Sequence, residues 1–212
     1  MEDNERLVRA AQQHGVLPST ILEAMRAVDR RWFVPSDTPP ADIYDDKPVG
    51  IGSGQTTSQP SLVAAMVHAL RLTSQSVALE VGTGYGYQTA LMARLCRLVV
   101  SIERIRSLSE HAARNLEAAG VENVRLVVGD AWSELPEGGP FDGIVVSAAA
   151  DTVPSTLERG LEEGGRMVIP IGPGGSEVVK VLEKREGVLS EVWSLTGARF
   201  VPLRRDPPSN GG

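Results

Sequence analysis

The sequence predicts an α/β fold: a mixed, mostly parallel sheet with helices on both faces and a helical addition at the N-terminus. Three observations carry this. Val77 to Val81 read as a short buried strand, followed by Gly82, Gly84 and Gly86 and then by a helical run, Tyr87 to Ala93. Strand, glycine turn and helix make half of a βαβ unit, whose ligand site lies at the strand's carboxyl end. Leu98 to Glu103 reads as the next strand and ends in an acid, about 20 residues past the glycines, where such folds take ribose hydroxyls. Further apolar runs at Val124–Val128, Phe141–Ser147 and Arg166–Ile171 are separated by helical stretches or turns.

Taken in order, residues 3 to 14 and 19 to 30 read as two amphipathic helices. Leu7, Val8 and Ala11 form the first apolar face; Ile21, Leu22, Met25 and Val28 form the second. Gly15 marks the first stop and Pro18-Ser19 the second start. The pair reads as an accessory cap, closed by Arg30-Arg31-Trp32-Phe33-Val34-Pro35, whose aromatics are assigned to packing. Residues 36 to 48 form an irregular connection ordered by Tyr44; their four Asp residues lack ligand spacing and a partner His, so a solvated loop is expected and no metal. A glycine-rich then hydroxyl-rich stretch, Val49 to Pro60, opens a helix with Leu62, Val63, Met66, Val67 and Leu70 in period. Pro60 suits a first helical turn. Ser58 therefore falls at or beside the N-cap, and capping is a common duty of serine.

Residues 105 to 119 read as a helix stopped by Gly120. The strand Val124–Val128 closes on Gly129-Asp130-Ala131, where Asp is a common turn residue. A short helix at 154 to 162 precedes Gly164-Gly165. Val178 to Lys184 and Val188 to Leu195 read as an antiparallel pair across Glu186-Gly187, and Arg199 to Leu203 as a last strand. Residues 204 to 212, rich in Pro, Gly and Asn, read as a disordered tail. The expectation is one domain over 1–203, with 1–58 as cap and loop and 59–203 as the cofactor-binding core.

Composition narrows the function. A net charge of −6 argues against a nucleic acid held by phosphate contacts. The one cysteine, Cys96, excludes an internal disulfide and reads as a small core residue. The charged start, Met1 to Arg6, lacks a signal peptide's apolar stretch, and no segment reaches the apolar length of a membrane span. A soluble, cytoplasmic monomer without membrane or nucleic-acid partners is expected.

The glycines also restrict the ligand. A dinucleotide fingerprint reads G-x-G-x-x-G, but here the third glycine falls one place early. No Lys-Ser/Thr pair follows, so this is not a phosphate-cradling loop. With Glu80 placed before Gly82, the pattern E-x-G-x-G-x-G resembles motif I of class I S-adenosylmethionine-dependent methyltransferases, a Rossmann-like class. The whole succession is similar to the protein-L-isoaspartate O-methyltransferase family. It comprises the glycine turn, Gln55-Thr56-Thr57-Ser58-Gln59-Pro60, a helix, Glu80 to Gln88, Ser101 to Arg104, Gly129-Asp130, Ser147 to Ala150, Val168 to Gly172 and Arg199 to Leu203.

That resemblance implies methyl transfer from S-adenosyl-L-methionine, with S-adenosyl-L-homocysteine as product. The acceptor is the free α-carboxyl of L-isoaspartyl residues in damaged peptides and proteins; the ester then collapses to a succinimide. It implies Ser58 as the catalytic hydroxyl, with Thr57 beside it. The implied cofactor-binding set is Thr56, Thr57, Ser58, Glu80, Gly82, Thr83, Gly84, Glu103, Asp130 and Ala131. It puts the end of the fourth strand opposite the transferring methyl, where Ala148-Ala149-Ala150 leave room for a substrate main chain. An aspartyl-type carboxyl with a pKa of about 4 is already the nucleophile at neutral pH, so positioning suffices and no strong base is needed. The chain departs from the family at Thr57, usually Ile, at Val49-Gly50, usually Leu-Pro, and at Arg204-Arg205, where some members carry a cofactor-contacting Thr. Two rival readings are a methyltransferase of one dedicated Asp carboxyl and a non-catalytic S-adenosylmethionine-binding module.

Overall fold

The computed structural model describes residues 2–15, 17–173 and 175–204, so the expected tail lies, apart from Arg204, outside the described residues. α1 (Glu2–Gln13) and α2 (Ser19–Ala27) form the expected N-terminal helical addition, with Leu7, Val8, Met25 and Val28 all buried. The second helix stops earlier than its apolar period suggests. Val28 leaves helical geometry, and Asp29 accepts a hydrogen bond from the Arg31 backbone N–H at 3.0 Å, starting a tight turn over Arg30–Phe33. A one-turn helix, α3 (Pro40–Ile43), breaks the irregular connection. Tyr44 orders it as expected, its hydroxyl donating to Asp29 at 2.7 Å.

A small hairpin, β1 (Gly50–Gly52) and β2 (Gln55–Thr56), follows and was not expected. Its turn places Gly52, Ser53 and Gly54 in succession at positive φ (84°, 52° and 69°), so no period-2 pattern survives there to read. Then come α4 (Pro60–Ala69), β3 (Val77–Val81), α5 (Tyr87–Ala93), β4 (Leu98–Glu103), α6 (Arg106–Ala118) and β5 (Val124–Val128). The chain continues with β6 (Phe141–Val146), α7 (Ser155–Gly160), β7 (Leu161–Ile171), β8 (Glu177–Arg185) and β9 (Val188–Ala198).

The main sheet has the order β5-β4-β3-β6-β7-β8-β9. Its first five strands are parallel, and β8 and β9 fold back antiparallel. The order reverses between β3 and β6, and open α/β sheets bind ligands at the carboxyl ends beside such a reversal. β3 is buried at all five positions, as a central parallel strand covered on both faces must be. One apolar cluster joins the cap (Leu7, Met25, Phe33) to α4, α5 and sheet residues Val99, Val145 and Val168. The other face is filled by Leu79, Ile144, Phe141 and Leu157. Each such side chain contributes about 1.5–3 kcal/mol by leaving water. Among the described residues no helix is long and apolar enough to cross a membrane.

Arg199 to Leu203 is not a strand. The segment makes one isolated bridge, Pro202 against Ala149, with Ala149 N–H donating to Val201 at 2.8 Å and Leu203 N–H donating to Ala149 at 2.6 Å. Ala150 is likewise engaged with Pro170 and Gly172. The room expected at Ala149 and Ala150 is thus filled by the protein's own chain, which leaves Ala148 at the cleft wall.

Candidate active site

A cleft of about 1000 Å³, open mouth included, lies at the carboxyl ends of β3, β4, β5 and β6. Gly82 to Gln88, Ile102 to Ile105, Gly129 to Ala131, Ser147 and Ala148 line it from the sheet. Ile51 and Gln55 to Ser58 close it from one side and Val201 to Arg204 from another. Of the implied catalytic and cofactor-binding residues, only Glu80 is missing from this wall.

The glycine loop is narrow for a stated reason. Gly82 (φ 93°) would place a Cβ 3.4 Å from the Ser147 Cβ, and Gly84 (φ 56°) one 3.2 Å from Ile51 Cδ1, besides the strain of left-handed backbone. Side chains there would fill the space between loop, β6 end and hairpin. Glu103 holds the loop in place: its carboxylate accepts from Gly84 N–H at 3.0 Å and from Ile105 N–H at 2.9 Å, and still faces the cleft. Asp130 accepts from Trp132 N–H at 2.9 Å and from the Ser133 hydroxyl at 3.2 Å. It is therefore both the turn residue its type suggests and a cleft residue. Ala131 is buried beside it, its carbonyl accepting from Thr156 of α7 at 2.6 Å.

Glu80 requires a correction. It is fully buried beneath the loop, and its oxygens accept from Gln88 Nε2 at 3.0 Å, Thr89 Oγ1 at 2.5 Å and Ser101 Oγ at 2.6 Å. Thr83 joins through Ser101 at 2.6 Å. The sequence places this acid one residue before the strand's last, and the alternation of side chains turns it to the face packed against α5 rather than over the strand's end. It acts on the cleft through Gln88 and Thr83. Burial, against three donors, raises its pKa to about 7. In the unfolded chain the group is ionised above about 4.5, so the folded state holds the extra proton between about 4.5 and 7. This group's contribution to stability is full below that window and is lost as pH rises through 7. Glu80→Gln is expected to flatten the fall in stability between about pH 5 and 7, a difference of the order of 3 kcal/mol, measured by denaturant titration of both proteins across that range. Parallel curves would contradict it.

Ser58 is not the cap of α4. Gln59 occupies the cap position without a side-chain bond. Asp46 supplies the cap, accepting from Ser61 N–H at 2.8 Å and from Gln59 Nε2 at 2.7 Å. One acid of the connection, Asp46, is therefore a working part, and it leaves Ser58 free of that duty. Half-buried at the cleft wall, the Ser58 hydroxyl makes no hydrogen bond among the described residues. Thr56 is exposed at the rim. Thr57 is tied down: its hydroxyl accepts from Val49 N–H at 3.1 Å, and its own N–H donates to Val49 at 2.8 Å.

Sequence reasoning missed three side chains. Arg30 is wholly buried and donates to the carbonyls of Ile43 (3.0 Å), Asp45 (2.6 Å) and Lys47 (2.7 Å), and reaches Thr57 Oγ1 at 3.4 Å. Desolvation lowers its pKa. It pins the segment that carries Ser58, a role that no neighbouring residue type signals. Tyr87 lines the cleft with its hydroxyl buried and without a partner, and burial pushes its pKa up. Gln88 donates to Glu80 and, at 2.9 Å, to Ser147 Oγ, leaving Oε1 buried and unpaired. An orphan of this kind costs roughly 1–3 kcal/mol. A polar Gln in the first turn of an otherwise buried helix was the one available signal. Cys96, its thiol pushed up to about 12 by burial, is the core residue expected.

Comparison with known proteins agrees with this geometry. The family described as protein-L-isoaspartate(D-aspartate) O-methyltransferase matches residues 2–206. A protein-L-isoaspartate O-methyltransferase of Opitutus terrae is 47% identical over 188 residues, covering 88% of this chain and 80% of that one. One from Methanoculleus marisnigri is 42% identical over 202 residues, covering 95% and 91%. Among solved structures, a protein-L-isoaspartate O-methyltransferase superposes with a TM-score of 0.84 at 32% identity; the match covers 94% of this chain and 65% of that one. A Plasmodium falciparum protein described as a putative protein-L-isoaspartate O-methyltransferase in complex with S-adenosyl-L-homocysteine gives 0.79 at 25% identity, covering 94% and 97%.

Proposed function

The chain belongs to the protein-L-isoaspartate(D-aspartate) O-methyltransferase family, and from that premise we propose which of its residues run the reaction. The enzyme transfers a methyl group from S-adenosyl-L-methionine to the free α-carboxyl of L-isoaspartyl residues, starting their repair through a succinimide. The bound cofactor supplies the methyl on a sulfonium and leaves as S-adenosyl-L-homocysteine. The cleft suits that group chemically. The glycine loop lets backbone approach closely, Glu103 offers acceptors at the β4 end, and Gln88 Oε1 is a buried acceptor in want of a donor.

In this reading Glu103 holds the ribose, Asp130 and Ala131 the adenine end, and Gly82, Thr83 and Gly84 the amino acid part. Thr56, Thr57 and Ser58 close the same site. Ser58 donates its hydroxyl to the substrate carboxylate and orients it; the ionised acid needs no base. The observation that supports this most directly is the unpartnered Ser58 hydroxyl at the cleft wall, freed by Asp46 capping α4 in its stead. Thr57 and Arg30 serve by fixing the segment. Residues 1–203 act as one domain, with 1–58 as cap and loop and 59–203 as core. The enzyme works in the cytoplasm as a monomer on isoaspartyl peptides and proteins, without nucleic-acid or membrane partners; the net charge of −6 supports the exclusion of nucleic acid.

The test is radiolabelled methyl transfer to paired isoaspartyl and aspartyl peptides. Ser58→Ala is expected to lower kcat/KM for the isoaspartyl peptide by roughly 10- to 100-fold, one hydrogen bond to a charged group, with affinity for S-adenosyl-L-homocysteine kept. Unchanged turnover in the variant would remove Ser58 from the mechanism.

A further inference from the structure

The ends of β5, β4, β3 and β6 set an order along the cleft. With ribose at Glu103 on β4, adenine lies toward Asp130 just past β5, and the amino acid part lies toward the β3 and β6 ends. Gln88 stands at that last place, bridging the two strands by donating to Glu80 of β3 and to Ser147 just past β6. Both contacts use its amide nitrogen. Above pH 7, where Glu80 is ionised, this orientation is fixed, because a flipped amide would turn its oxygen on the carboxylate oxygen that takes no bond from Thr89 or Ser101. The remaining atom, Oε1, is buried without a partner in a residue that lines the cleft.

Resting on the cofactor reading above, we propose that Gln88 Oε1 accepts a hydrogen bond from the α-ammonium of the bound cofactor, and that Glu80 behind it strengthens that acceptor. An N–H given to a carboxylate pushes electron density onto the amide oxygen, so the two bonds reinforce one another. The ammonium is the cofactor's one nitrogen that carries a formal charge, and it meets a negative potential passed through a neutral amide. The buried acid therefore helps select a cationic amino acid group without touching it. Gln88 is a cofactor-binding residue, and Glu80 is a positioning one.

The experiment is calorimetric titration with two ligands, S-adenosyl-L-homocysteine and its analogue lacking only the α-amino group. Wild-type protein and Gln88→Leu are compared, with Gln88→Asn, which draws the oxygen back, as the second variant should the first not fold. In the wild type, loss of the amino group is expected to weaken binding roughly 10- to 100-fold. In the Gln88 variants the two ligands are expected to bind alike. A penalty of the same size in wild type and variant overturns the assignment, as does no penalty in the wild type. Failure of the wild type to bind S-adenosyl-L-homocysteine at all would overturn the cofactor reading itself, a result distinct from either.

Discussion

Replacing Glu103 by alanine is expected to weaken S-adenosyl-L-homocysteine binding by about 10²- to 10⁴-fold. That corresponds to two hydrogen bonds from ribose hydroxyls to a charged acceptor, each worth roughly 1.5–3 kcal/mol. The loss has a second source. Glu103 accepts the backbone N–H groups of Gly84 and Ile105, so the variant also frees the glycine loop from the end of β4. Calorimetry measures the first effect, and faster amide exchange at Gly84 measures the second. Binding within about threefold of wild type would remove Glu103 from the site, because the two bonds predict far more.

Arg30→Met is expected to lower stability by about 3–5 kcal/mol, a loss of the size reserved for broken buried networks. Methionine matches much of the volume but offers no donor, and three carbonyls at 43, 45 and 47 lose theirs. Relief from burying a cation offsets part of this; the short contacts decide the sign. For a chain of this size each kcal/mol moves Tm by about 2–4 °C, so a fall of roughly 6–20 °C follows. Thermal unfolding of the variant checks it, and Arg30→Lys, with one charged head in place of a fork, should fall between. A Tm within a degree of wild type would show that the segment is held some other way.

The parts of the fold legible in the sequence are those governed by local pattern. The glycines at 82, 84 and 86 and the acids ending β4 and β5 each stand within a few residues of the strand end that gives them meaning. Helix starts at Pro60 and stops at Gly120 are equally local. What stayed hidden depends on residues far apart in the chain. Asp46 caps a helix that begins well downstream, Arg30 reaches carbonyls in a loop, and the fate of Arg199 to Leu203 was decided by Ala149. Glu80 was misplaced for a different reason. Its neighbours in sequence point to the ligand, but the strand's two-residue alternation puts its own side chain under the loop. Ser58 was read correctly as standing at or beside the cap of a helix, a position that Gln59 takes and whose bond Asp46 supplies.

The clasp of Leu203 and Val201 on Ala149 has a temporal meaning. One lip of the cleft is laid down early in translation, at Gln55 to Ser58, and the opposite lip among the last described residues. A nascent chain with every parallel strand already emerged therefore still lacks a closed pocket. A ligand that touches both lips stabilises most the fold in which both are in place, by about 2.7 kcal/mol when its concentration is 100 times Kd.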